Sequence, residues 1–311
     1  MNKNFGNSNL HVVLWGLKHK RDSFRFIFQG FYDALLKEGI TVSWVEDSPK
    51  SEEVIRRDSI VIGVDVASKH FAVITGPTYV TLNIQPDSEA GQKLSKQGNW
   101  FKIQEFTNRS PGELDSEGSI ARFKLENRTL YMPWGTPASV DEFKKPLNLS
   151  LDMTKEYWVG AIWNDALNQG NTEAIETYRQ ALTDYGIRFK RIGGSRWRVG
   201  GLSEEQNAIK VRESRLGAAI VGNWQKDNQY YPCRIFKAVS AGVPPTSNLD
   251  AHPVFQDSLL YQDDITKLVQ HAMAESTNDR IERTLSAQKL IERYTYKASF
   301  ERILRMINAD W

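Results

Sequence analysis

The chain has 311 residues, with 40 basic against 38 acidic side chains, 40% apolar and 25% charged residues, and a single cysteine, Cys233. That length exceeds what one hydrophobic core usually serves and points to two domains of roughly 150 residues each. The near-cancelling charge excludes the electrostatic footprint of a protein that coats nucleic acid, and the lone cysteine excludes an intramolecular disulfide and any Cys/His zinc spacing, so a reducing compartment is expected.

Leu10 to Leu17 (LHVVLWGL) reads as a strand within an N-terminus too short and interrupted in its apolar run for a signal peptide. No stretch approaches a transmembrane helix, so the expectation is a cytoplasmic protein, and any contact with a membrane would be peripheral, at its cytoplasmic face. Phe24, Ile27, Phe28, Phe31, Leu35 and Leu36 follow at helical spacing, and Gly39 stops that helix. Ile40–Val45, Ser59–Val64 and Tyr79–Ile84 then read as strands, and continuous β-branched runs favour a parallel sheet covered on both faces. Residues 87 to 127 are polar, carry Gly and Pro, and receive no assignment.

Leu130 to Phe143 reads as the exit from the first domain, with a hinge near residues 143 to 155. The alternation then restarts: Tyr157–Trp163 strand, Thr172–Tyr185 helix, Ile187–Ile192 strand, Ser203–Glu213 helix and Leu216–Val221 strand. Ser203 and Gln206 have capping-box spacing, and Pro232 and Gly242 bracket a further helix. Asp264–Glu275 and a long segment from about Asp279 to Asn308 complete the helices.

If Pro232 opens its helix, Arg234 and Lys237 lie one turn apart on one face beside unpaired N–H groups. Two cations at a helix N-terminus suit a diphosphate whose charge grows as a leaving group departs. Taken alone, the pair reads as readily as a solvated helix face. The small-residue run Ala238 to Thr246 (AVSAGVPPT), with its Gly stop and Val-Pro strand, is what a helix packed under a ligand loop needs.

This segment resembles the donor-binding signature of GT-B glycosyltransferases, whose usual form ends in E-A-(M/L)-x-x-G-x-P-V-V, and the P-C-R-x-F-K variant of some bacterial and viral sugar transferases. The resemblance extends to Tyr131–Thr136 (YMPWGT), Trp158–Ile162 (WVGAI) and Tyr294–Tyr296 (YTY). It implies an α/β chain of the GT-B class, two Rossmann-like domains with parallel sheets facing a central cleft. The expected division is 1–148 on the acceptor side, 149–285 on the nucleotide-sugar side, and a helix at 286–311 that crosses back to the first domain.

The resemblance further implies Arg234, Lys237, Cys233 and Asn164 at the donor diphosphate and Val199 and Gly200 against the base. Tyr230 and Tyr231 are candidates for stacking on ribose or base, one of them expected in the core. Where the common retaining subfamily carries two glutamates, this chain has Gln229 and Lys237, so stereochemistry does not carry over. Lys237 in that place is similar to fucosyltransferase-like enzymes, which makes a GDP-sugar a plausible donor beside a UDP-sugar.

Asp22 and His19, at the entry to the first helix, are the candidate bases for an inverting reaction, with Asp65 and His70 competing and plain capping of the helix the simpler role for Asp22. The function implied is a metal-independent, cofactor-free transfer of a sugar to a glycan, glycolipid or glycoprotein acceptor, as in polysaccharide biosynthesis, with no nucleic-acid partner. A two-lobed small-solute binding protein and a GT-B sugar epimerase are the alternatives.

Overall fold

The structure, a computed structural model, describes residues 10–18, 23–64, 69–82, 88–105, 114, 118–147, 153–164, 167, 169–192 and 202–308. The chain divides into two compact units: Met1–Glu105 with Ala121–Met132 and Tyr296–Trp311, and Phe106–Ile120 with Pro133–Thr295.

The first unit begins with β1 (His11–Trp15), α1 (Ser23–Lys37), β2 (Thr41–Val45), β3 (Ile60–Val64) and β4 (Thr78–Leu82). All five residues of β1 and of β3 are buried, which is why neither strand alternates polar and apolar residues. The stretch without a sequence assignment supplies α2 (Glu89–Ser95), β5 (Trp100–Gln104) and β6 (Arg122–Lys124), and β7 (Thr129–Tyr131) follows. β5 buries only Ile103, and β6 is a half-exposed edge strand, so neither leaves an apolar pattern to read.

The sheet order is β2-β1-β3-β4-β5-β7-β6, with every neighbouring pair parallel except β6 and β7. The order reverses direction between β1 and β3, where open α/β sheets bind ligands beyond the carboxyl ends of the strands. His19 and Asp22 after β1, and Asp65 after β3, lie outside the described residues.

His11, at the opposite end of β1, is buried with Nδ1 2.8 Å from Ser59 Oγ and Nε2 3.0 Å from Ser43 Oγ. Burial, reinforced by Arg56 and opposed by Asp58, lowers its pKa from 6.5. A histidine held neutral in the fold binds fewer protons than in the unfolded chain, so its contribution is complete above pH 6.5 and is lost as pH falls through the folded value. His11→Gln should therefore flatten the fall of melting temperature below pH 6.5, which a pH series of thermal melts reads directly; an unchanged slope would assign that acid sensitivity elsewhere.

Among its described residues the second unit has the parallel strand pairs β8 (Lys155–Trp158) with β9 (Arg188–Arg191) and β10 (Thr246–Ser247) with β11 (Leu260–Tyr261). Between them runs residues 215–221. Arg215 N–H donates to Lys155 O at 2.8 Å on one side, and Ala219 N–H to Thr246 O at 2.8 Å on the other. Elsewhere side chains replace ladder partners: Glu156 accepts from Leu216 and Gly217 N–H, and Asn248 pairs with both backbone groups of Val221. The expected strand Leu216–Val221 is therefore extended and stitched in place, with a strand bridge from Ala219 to Ser247.

The helices of this unit are α3 (Thr172–Asp184), α4 (Glu204–Arg212), α5 (Asn223–Asp227), α6 (Cys233–Ser240), α7 (His252–Phe255), α8 (Ile265–Ala274) and α9 (Thr277–Ile291). The Ser203–Gln206 capping box forms, with Gln206 N–H on Ser203 Oγ at 3.1 Å and Ser203 N–H on Gln206 Oε1 at 3.0 Å. The single long helix expected from about Asp279 to Asn308 is instead two: α9 ends in a tight turn at Glu292–Tyr294, and α10 (Tyr296–Asn308) belongs to the first unit.

Tyr294 explains the break. Its hydroxyl accepts from Ile120 N–H at 3.0 Å, and its carbonyl accepts from Thr136 N–H at 3.0 Å. Gly135 passes this carbonyl at φ +75°, where a Cβ would stand 1.7 Å from the oxygen, so the YMPWGT and YTY segments meet through Gly135, Thr136 and Tyr294. Within the first unit α10 packs on α1 by ring contacts of Phe31 with Tyr296 (6.0 Å) and Phe300 (5.9 Å), and by a Lys297–Glu38 ion pair at 2.7 Å.

Candidate functional site

The end of β8 and the start of α6 come together in the second unit around one side chain, Arg234. α6 has Pro232 as its N-cap, which supplies no side-chain acceptor. Its buried face, Ile235, Phe236, Val239 and neighbours, locks the helix into a core with Tyr231, Phe255 and Tyr294. That packing turns Arg234 toward β8.

Three consecutive β8-end residues receive the guanidinium. Its Cζ lies 3.3 Å from the centroid of the Trp158 ring, a cation-π stack, and Nη2 donates to Val159 O. Gly160, at φ +145°, leaves room: a Cβ there would stand 2.2 Å from Nη2. Among the described residues Arg234 has no carboxylate at ion-pair distance, and its buried Nη1 has no hydrogen-bond partner. Burial lowers the guanidinium pKa to about 10, with Cys233, Tyr178, Glu156 and Tyr230 pulling it upward, so it stays charged at neutral pH. A buried cation without a counter-ion is unusual in a fold unless an anion arrives from outside.

The strand Tyr157–Trp163 expected from sequence stops at Trp158. Positive φ at Gly160 ends it, and Asn171 ties down the loop beyond: its Oδ1 accepts from Trp163 N–H at 3.0 Å, and its Nδ2 donates to Ala161 O at 3.2 Å. Asn164 Oδ1 accepts from Gly170 N–H at 3.1 Å, so this oxygen serves its own loop.

Lys237 lies one turn beyond Arg234 on α6, half-buried, and Cys233 is the first residue of the helix, also half-buried. Tyr231 is in the core, and burial raises its hydroxyl pKa. Tyr230 is half-buried and packs on Trp224 with ring centroids 6.4 Å apart. Val199 and Gly200 lie outside the described residues. His70 is exposed in the first unit, its N–H held by Asp47 at 3.0 Å. Among the described residues no group of three His, Cys, Asp or Glu side chains could hold a metal ion, and no helix is long and apolar enough to cross a membrane.

Beneath the site, Glu156 is 2% exposed and accepts from Tyr178 Oη–H at 3.0 Å, Leu216 N–H at 2.8 Å and Gly217 N–H at 3.0 Å. Burial raises its carboxyl pKa against the pull of these bonds. Sequence reading attached Arg234 to the site but not its cradle of Trp158, Val159 O and Gly160; the Trp-Val-Gly run was visible, and nothing in its spacing says that an arginine 74 or more residues later stacks on it.

No protein-family model matches the sequence, and no curated protein matches it. Solved structures do match in shape. An α-glucosyltransferase in complex with UDP and a 13-mer DNA is similar at a TM-score of 0.63 and 9% identity, over 96% of this chain and 99% of that one. A trehalose-6-phosphate protein from E. coli bound with UDP-2-fluoro glucose gives 0.58 and 12%, over 96% and 98%. A UDP-forming trehalose-phosphate synthase from Burkholderia xenovorans gives 0.55 and 9%, over 97% and 99%. The fold is GT-B. In a GT-B chain each half is a parallel α/β unit, and both units here have that build, with Arg234 beyond the carboxyl end of β8, where such sheets take ligands.

Proposed function

We propose that the chain is a glycosyltransferase that moves a sugar from a UDP- or GDP-sugar to a hydroxyl of a glycan, glycolipid or glycoprotein acceptor in the cytoplasm. The observation that carries this reading is the Arg234 guanidinium, stacked on Trp158, charged, its Nη1 buried, and among the described residues without a carboxylate at ion-pair distance. A diphosphate supplies the missing charge, and its charge rises as the glycosidic bond breaks, so the cation acts most strongly in the transition state. In this reading Lys237 on the same helix adds a second cation, Cys233 N–H and Asn164 are further donor contacts, and Tyr230 is the aromatic given to ribose or base. The reading assigns no role to a metal or other cofactor, and it gives the base of an inverting reaction to Asp22 or His19. UDP in the similar structures supports a uridine donor over a guanosine one.

A thermal-shift panel of UDP-, GDP- and CMP-sugars tests it, because a ligand that binds only the folded state raises the melting temperature. One nucleotide class should shift the melt and the matching nucleoside should not. No shift with any of them would sink the reading. Sugar incorporation is then followed with oligosaccharide, lipid-linked and DNA acceptors; label in DNA would overturn the acceptor class, and an epimerised donor formed without acceptor would replace transfer by epimerisation.

A further inference from the structure

Two buried N–H donors at the end of β8 have no hydrogen-bond partner among the described residues: Nη1 of Arg234 and Nε1 of Trp158. They belong to one assembly, since the guanidinium is stacked on the Trp158 ring with Cζ 3.3 Å from its centroid. Arg280 Nη1 is also without a hydrogen bond, but it faces Glu275 at 3.8 Å, so its charge is answered. Trp158 is 3% exposed, and a neutral donor closed off in this way lowers the stability of the fold unless something takes its proton.

The geometry points to the Trp158 indole N–H as a second phosphate-binding group, which together with Arg234 Nη1 takes oxygens of the donor diphosphate. This rests on the diphosphate reading above and extends it to a residue of the β-strand. Indole Nε1–H can only donate, and both Nη1 hydrogens can only donate, so the pair selects an acceptor-only ligand, which a fully ionised diphosphate is. Neither atom is open to water in the structure, so the phosphate reaches them as side chains over the strand end shift, and the two hydrogen bonds gained offset that shift. Arg234 supplies charge, and Trp158 supplies direction and the flat surface that fixes the guanidinium plane.

Trp158→Phe keeps an aromatic face under Arg234 and removes the N–H together with part of the indole. Calorimetric binding of UDP, GDP and inorganic pyrophosphate should weaken about tenfold to a hundredfold, as loss of a hydrogen bond to a charged group implies. Binding of uridine or guanosine should stay as in the wild type. Trp158→Leu, which removes face and donor together, should lose more. A tryptophan that only packs the core would lower the melting temperature of Trp158→Phe and leave its preference for nucleotide over nucleoside unchanged, and that result overturns the inference.

If Trp158→Phe does not fold, the wild type still decides. Of the indole N–H resonances from nine tryptophans, one must move on addition of pyrophosphate or UDP and not of uridine; an unmoved set overturns the inference. Arg234→Met is measured alongside. If it loses pyrophosphate binding while Trp158→Phe does not, the diphosphate site stands and the role of Trp158 falls. If both variants bind as the wild type does, or the wild type binds none of the three probes, the diphosphate reading falls and the inference with it.

Discussion

Arg234→Met is expected to cut sugar transfer by roughly a hundredfold to a thousandfold or more, the range for removing a charged group aimed at a developing anion, while leaving the melting temperature unchanged or higher. The two halves of that expectation have one cause. Among the described residues the guanidinium meets no carboxylate and leaves Nη1 unbonded, and burial already pulls its pKa to about 10. The fold therefore carries the cost of desolvating a cation without recovering it from an internal ion pair. Methionine fills the same space over the Trp158 ring with no charge to desolvate, and such replacements are often neutral or stabilising by about 1–4 kcal/mol. Arg234→Lys should fall between, keeping charge but losing the flat stack and the fork that reaches both Val159 O and a phosphate. Melts and donor titrations on the same samples separate the outcomes. A lower melting temperature with unchanged donor affinity would make Arg234 a structural strut.

The sequence made the frame of this site legible because its parts are local. Pro232 and Gly242 bracket α6, Ser203 and Gln206 cap α4, and the largely apolar, fully buried runs of β1 and β3 announce a sheet covered on both faces. Each signal sits within a few residues of the feature it encodes. What escaped is non-local. β5 buries one residue of five and β6 lies at an edge, so residues 87 to 127 carried no period, yet among the described residues they include α2, β5 and β6.

The break between α9 and α10 is of the same kind. Apolar spacing continues across it, and what ends the helix is Tyr294, drawn to Ile120 and Thr136, more than 150 residues away. At the site, Arg234 was found by its helix position, whereas the stack on Trp158 and the space left by Gly160 join segments that have no spacing rule between them. The residues 215–221 show a third limit. Their strand character was readable, but the replacement of ladder partners by Glu156 and Asn248 side chains was not.

That replacement makes Glu156→Ala the variant with the largest expected loss of stability. The carboxylate takes two backbone N–H groups and the Tyr178 hydroxyl, all within 3.0 Å, and Glu156 itself is buried. Alanine leaves three donors without partners and opens a cavity between β8 and residues 215–221, for a loss of about 3–5 kcal/mol. In a unit of this size that lowers the melting temperature by on the order of 10 °C. Glu156→Gln keeps the volume and one carbonyl oxygen but sets an NH2 group against a donor, so it should lose about half as much. Because Glu156 lies two residues before Trp158, the loss bears on function only by loosening β8. Below its melting transition Glu156→Ala should retain the preference for nucleotide over nucleoside with weaker affinity, unlike Arg234→Met, which should lose the preference itself. If Glu156→Ala abolished the preference while folded, the charge of the carboxyl group, and not its hold on the strand, would be what the diphosphate site requires.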